Sequence, residues 1–324
     1  MKLSSRLKIV IMVAVISLAL VFLDKFKMPF DNYFWHSVFE FGHVPLFGII
    51  SIALLGLSQT LFGRRYSNPL VHYAIAFFLT GLMGFVTELF QYFTPRDADI
   101  WDIVNDVIGA ICFLGFYLTL DRRVSITGMA INNKLKYFIR LIVFLLGLFM
   151  ITPTVVWIAA YSNRNLSFPD ICTFELPWEQ KFVFADNDHI NIVPAPFNSD
   201  DLGVNHVGQM LIDNVGNSSF LIGEPYIDWT GFENFTFIVF SKHDESINLE
   251  FRINDWWHDN NYYDRFNRTL IIKPGLNKII IPLEEVKNAP NSRVMKMNKI
   301  KAIVLFTEYP IENFDVYIDD FKLE

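Results

Sequence analysis

Cysteine is almost missing from this sequence: Cys112 sits in an apolar stretch and Cys172 in an acidic one, which excludes a disulfide framework. Also absent are a phosphate-binding glycine loop, an H-x-x-x-H pair and a nucleophile motif, so no familiar hydrolytic or nucleotide chemistry is written into the chain. Charge is scarce as well, at 19% of 324 residues against 52% hydrophobic, with 33 Phe. That balance suits a chain with lipid-facing surface rather than a soluble enzyme. With a net charge of −7 and no basic stripe away from the apolar segments, there is no electrostatic footprint for nucleic acid.

What charge there is divides unevenly. Residues 1–161 hold 13 Lys+Arg and 9 Asp+Glu, whereas residues 162–324 hold 14 and 25. A basic half and an acidic half point to different surroundings. Two domains are expected: a five-span transmembrane domain over 1–161 and an extracytoplasmic β-sandwich over 162–324, that is, a membrane all-α helical bundle plus a C-terminal all-β jelly-roll sandwich.

A membrane-crossing helix needs about 20 mostly apolar residues, and segments 7–23, 44–62, 69–93, 103–120 and 137–161 meet or approach that length. The first follows Lys2, Arg6 and Lys8 and precedes Asp24-Lys25-Phe26 with no small-x-small cleavage site, so it reads as an uncleaved anchor. Basic residues concentrate in cytoplasmic loops. With the N-terminus inside, ten fall on that side, from Lys2 to Arg140, and three outside: Lys25, Lys27 and Arg96. An odd number of spans then puts the acidic half in the periplasm or outside the cell. The expected location is therefore multi-pass in a cytoplasmic (inner) membrane, with the lipid bilayer as a partner.

Ionisable groups inside spans are costly and mark partners or functions. His43 lies near the outer end of the second apolar segment, Glu88 and Gln91 near the outer end of the third, and Asp99, Asp102, Asn105 and Asp106 around the start of the fourth. Glu88 and Gln91 share a helix face, as do Asp99, Asp102 and Asp106. Pro95 ends the third helix, Arg96 offers a counter-ion, and a carboxylate at the start of the fourth suits the free amides there. Acidic caps, one arginine and a polar pin between helices account for this set without a ligand; an outward-facing polar site between spans two to four accounts for it with one.

Together Glu88, Gln91, Arg96, Asp99, Asp102, Asn105 and Gly109, with His43, resemble the VanZ-like family over residues 5–120. The sequence departs from the family at Glu40, where a Lys is common. The resemblance implies a bacterial cell-envelope protein, with a link to glycopeptide-antibiotic tolerance and no assigned reaction. The fifth span is then an addition.

Beyond residue 166 the apolar runs give way to short β-rich segments at 235–240, 247–253, 269–272, 278–282, 300–306 and 314–323. The run Asn248-Leu249-Glu250-Phe251-Arg252-Ile253 alternates strictly, as a half-buried strand does, and Pro274-Gly275 marks a turn. Many short strands without intervening helices read as a two-sheet sandwich. Local phrases, among them Asp228-Trp229-Thr230-Gly231-Phe232, Lys273-Pro274-Gly275-Leu276-Asn277 and Tyr317-Ile318-Asp319-Asp320-Phe321, resemble non-catalytic carbohydrate-binding modules and galactose-binding-like sandwiches.

Sugar rings stack on aromatic faces and present hydroxyls to carboxylates and amides. Residues 254–265 supply both, with Asp255, Trp256, Trp257, Asp259, Tyr262, Tyr263 and Arg265 as glycan-binding candidates. Trp256 and Trp257 are adjacent, so one of them is expected to point outward. No cofactor is required. As in similar modules, Glu175 and Asp320 are candidates to hold a structural calcium, whose hard cation suits carboxylate oxygens. The leading reading is a binding protein for a glycan or a lipid-linked envelope component. The alternatives are an envelope enzyme with Glu88 as base and Arg96 steadying a lipid-linked substrate, and a protein-binding scaffold; the oligomeric state is open.

Overall fold

The computed structural model describes residues 4–25, 28–91, 93, 99–126, 132–185, 190–197, 204–212, 218–307 and 313–324. The chain divides into two compact units, Met1–Ile158 and Ala159–Glu324.

In the first unit the helices are α1 (Ser5–Lys25), α2 (Tyr33–Phe62), α3 (Pro69–Gln91), α4 (Ile100–Leu118), a one-turn α5 (Arg122–Ile126) and most of α6 (Asn133–Ser167). All except α5 are long and apolar enough to cross a membrane. The second helix starts well before the predicted apolar segment at 44. Asn32 caps it by accepting the Trp35 N–H at 2.9 Å, and the aromatic run after Tyr33 continues as helix through Glu40. His43 is therefore the eleventh residue of a 30-residue helix and not the marker of its outer end. At its start α4 is capped by Asp99, which accepts the Trp101 N–H at 2.9 Å. Phe47, Ile50, Leu54, Leu55, Ala76 and Ala110 form the bundle's core. Large apolar side chains elsewhere on the helices stay uncovered, as they must if lipid is the solvent.

The second unit is an antiparallel sandwich. Its strands are β1 (Asp170–Cys172), β2 (Val183–Ala185), β3 (Asn191–Pro194), β4 (His206–Ile212), β5 (Ser218–Gly223), β6 (Asn234–Ser241), β7 (Ile247–Asp255), β8 (Phe266–Ile272), β9 (Gly275–Pro282), β10 (Ile300–Thr307) and β11 (Phe314–Leu323), with a short α7 (Leu283–Asn288) between β9 and β10. One sheet runs β3-β4-β11-β6-β9, with β1 also pairing β11; the other runs β2-β5-β10-β7-β8. Alternation does the sorting. On β7, Leu249, Phe251 and Ile253 enter the core, leaving Glu250 and Arg252 on the other face. Trp229 stacks on Phe235 at 5.2 Å, and Phe237 on Phe321 at 5.0 Å. The last turns of α6 belong to this unit, where the buried Arg164 donates to the Glu224 carbonyl at 2.6 Å and lies over the Phe182 ring.

Candidate functional site

Strands β7 and β8 pair in register as far as Ile253 opposite Phe266, and residues 256–265 connect them. Asp255 closes β7 fully buried, and Asp264, just before β8, is buried as well. Both carboxylates meet one side chain. Arg293 Nη1 and Nη2 donate to Asp255 Oδ2 and Oδ1 at 2.6 and 2.8 Å, while its Nε and Nη2 donate to Asp264 Oδ1 and Oδ2 at 2.5 and 2.9 Å. The amides of Lys296 and Trp257 also donate to Asp255, and that of Asp259 to Asp264. Arg293 holds the Asp264 carboxyl below its ordinary range, and the two carboxylates raise the guanidinium in return. A planar fork satisfied on both edges fixes geometry as well as charge. The loop is thus clamped at both ends by a residue from a third segment.

On that rigid loop Trp257, Tyr262 and Tyr263 are 57%, 57% and 64% exposed. Of the adjacent tryptophans, Trp257 is the one that turns outward; Trp256 is half-buried, with Lys301 Nζ 4.7 Å from its ring centre. Tyr262 and Tyr263 meet edge to face at 5.4 Å. The Arg265 guanidinium lies 5.3 Å over Tyr262, and its Nε donates to Asn267 Oδ1 at 2.8 Å. Asp259 is exposed and accepts the Asn261 N–H. Six of the seven candidates on this loop are therefore at least partly accessible. Asp255 is the exception, because Arg293 and two amides occupy its oxygens. Sequence reasoning missed Arg293, which lies in a polar turn with no local signal.

His258, Asp259 and Asp264 each bring a donor atom within 4.8 Å of the others, the sole such group among the described residues. Arg293 already supplies the positive charge there, which disfavours a metal ion. The calcium candidates have different partners. Glu175 accepts from the Asn205 and His206 amides at 2.6 and 2.8 Å and from His206 Nδ1 at 3.0 Å, while Asp320 accepts from Lys322 Nζ at 2.9 Å. Its neighbour Asp319 is the buried carboxylate, and Oδ1 of that residue has no partner. Burial, then the charges of Asp320, Glu175 and Glu179, push Asp319 up to about 8.

In the bundle, the polar residues of α2, α3 and α4 do come together. His43 Nδ1 is 2.9 Å from Asp106 Oδ1 and its Nε2 is 3.6 Å from Asp102 Oδ2. Glu88 Oε2 accepts the Asp99 N–H at 3.0 Å, whereas Glu88 Oε1 and Asp106 Oδ2 are buried without partners. The Asn105 amide reaches the Glu40 carbonyl at 3.4 Å. The His43 ring thus lies between two carboxylates of α4, hydrogen-bonded to that of Asp106. Gln91 is half-buried at the end of α3. Arg96, the predicted counter-ion, lies outside the described residues.

No family model matches the chain, and no curated protein does. Among solved structures, similarity is found to an exo-beta-agarase (15% identity, 48% of this chain and 24% of that one, TM-score 0.38). It is found also to a family 11 carbohydrate-binding module from Clostridium thermocellum in complex with a beta-1,3-1,4-mixed-linked tetrasaccharide (12%, 44% and 82%, TM-score 0.33). A third is a family 30 module of a cellulosomal cellulase of the same organism (13%, 44% and 86%, TM-score 0.33). The chain spans about a quarter of the agarase's length. At these scores the likeness gives no residue here a role.

Proposed function

We propose that this protein is a multi-pass membrane protein of a bacterial cell envelope whose sandwich binds a glycan through the 256–265 loop. One observation carries the reading: three solvent-facing aromatic rings ride on a loop that the half-buried Arg293 clamps to the buried Asp255 and Asp264. Apolar rings left in water without a structural task mark a contact surface. Holding them rigid before the ligand arrives lowers the ordering entropy lost on binding. The resemblance of the bundle to the VanZ-like family supports the envelope as the compartment and implies the link to glycopeptide tolerance.

The test is a glycan array probed with the full chain in lipid nanodiscs, followed by titration of the best ligand. Trp257→Ala and Tyr262→Ala are each expected to weaken binding about tenfold or more, as aromatic anchors do. Retention of no glycan, or unchanged affinity in both variants, removes the reading.

A further inference from the structure

Arg252 and Arg265 are neighbouring cations on the sandwich surface, each half-buried. Arg252 projects from the outer face of β7, directly across the ladder from Asn267 on β8. Asn267 in turn accepts from Arg265 Nε and donates to the Tyr262 carbonyl at 2.9 Å. Two guanidiniums, an amide and the Tyr262 ring thus share one patch. Among the described residues neither arginine has an ion-pair partner, and Arg252 Nε is buried with no acceptor. Burial, and then the charge of Arg265, lowers the Arg252 pKa, and no carboxylate counters that effect.

Carboxylates are not in short supply. Residues 162–324 contain 25 of them against 14 basic residues, yet none is placed here. The nearest on the same strand face, Glu250, accepts from the Thr269 hydroxyl at 2.7 Å. A half-buried cation without an acceptor is unfavourable unless something else supplies one. One row away on the same face, Asn254 is buried with its Oδ1 unpartnered, an acceptor fit for a hydroxyl. Aromatic face, paired guanidiniums and amide acceptor together match a pyranose that carries an anionic substituent. Guanidinium forks match carboxylate and sulfate oxygens in particular.

We propose that Arg252 and Arg265 form an anion subsite beside Tyr262, so that the glycan taken by the loop is acidic, bearing carboxylate or sulfate groups. This rests on the glycan-binding reading above and narrows its ligand class. The experiment uses charged and neutral twins, with the full chain in nanodiscs: oligogalacturonate against its full methyl ester, and dextran sulfate against dextran. The first pair probes carboxylate and the second sulfate.

The charged member of at least one pair is expected to bind tenfold or more tightly than its twin, with the preference shrinking as salt rises from about 50 to about 300 mM. Arg252→Gln and Arg265→Gln should each erase most of that preference. Two separate substitutions guard against misfolding, because near-ultraviolet circular dichroism reports on the fold of each. Equal binding of the twins, or a preference that survives both substitutions, overturns the subsite. If neutral glycans bind and acidic ones gain nothing, the loop reading stands and only the subsite falls; if no glycan binds at all, both fall.

Discussion

A carboxylate that folding removes from water must find donors, or it holds its proton instead. Asp319 takes the second course: it is 2% exposed, its Oδ1 has no partner, and its pKa rises from 3.8 to about 8. The folded state then binds a proton that the unfolded chain has already released, so stability falls as pH rises between about 4 and about 8. Glu179, raised chiefly by burial, adds a term of the same sign. Asp264 is shifted the other way, by its hydrogen bond to Arg293, and so is Glu175, where donors from His206 and Asn205 outweigh burial. Those two stabilise above their unfolded values and lose the contribution only on strong acidification, outside this window. Urea midpoints of the sandwich, read by pulse proteolysis of the full chain, should therefore be higher at pH about 5 than at about 9. Asp319→Asn should flatten the difference, and equal slopes for the two proteins would show that Asp319 is not its source.

Between elements, spacing decides what can pack. A Cβ on Gly109 of α4 would stand 2.2 Å from the Val44 carbonyl oxygen of α2, and one on Gly84 of α3 would stand 2.5 Å from Asp106 Oδ2. Small residues let membrane helices approach closely, and here that approach also brings His43 to Asp106. Gly109→Val should force α4 off α2, at a cost of about 1–3 kcal/mol or more. It is expected to lower the detergent-solubilised protein's melting temperature, while Gly147→Ala, with nothing within 4 Å, serves as the neutral comparison. Equal melting temperatures would mean that the helices tolerate the added volume.

The polar contact of α2 with α4 was legible because ionisable residues in apolar helices are few. The early start of α2 was not, because Tyr33–Gly42 mixes aromatics with His36 and Glu40 and has no long apolar run. In the sandwich, all six predicted strand segments lie within β6–β11, where alternation is long enough to read. The first five strands escaped notice. Two have three residues and one has four, while Gly208 interrupts β4 and Gly223 ends β5. The aromatic loop was visible because its residues are contiguous, whereas the Arg293 clamp joins partners 38 and 29 positions away.

At the scale of the whole molecule, the compartment proposed for the sandwich rests on parity. Five helices are long enough to cross a bilayer, and α5, with five residues, is not. At about 1.5 Å per residue, the 30 residues of α2 and the 35 of α6 exceed a hydrocarbon core of about 30 Å, so both would project beyond it. In the proposed topology, five crossings with the basic N-terminus inside would put Glu324 outside, and the surplus of carboxylates in the second half suits that side, since outer loops are not selected for Lys and Arg. The two native cysteines favour a direct test, because both are buried and should label slowly with maleimides. In intact cells a membrane-impermeant maleimide is expected to label Glu324→Cys, and to reach Arg64→Cys, in the turn between α2 and α3, only after permeabilisation. The reverse pattern would put the aromatic loop in the cytoplasm, away from any envelope glycan. The proposed ligand would then have no access to Trp257 and Tyr262, whatever their affinity for sugars in isolation.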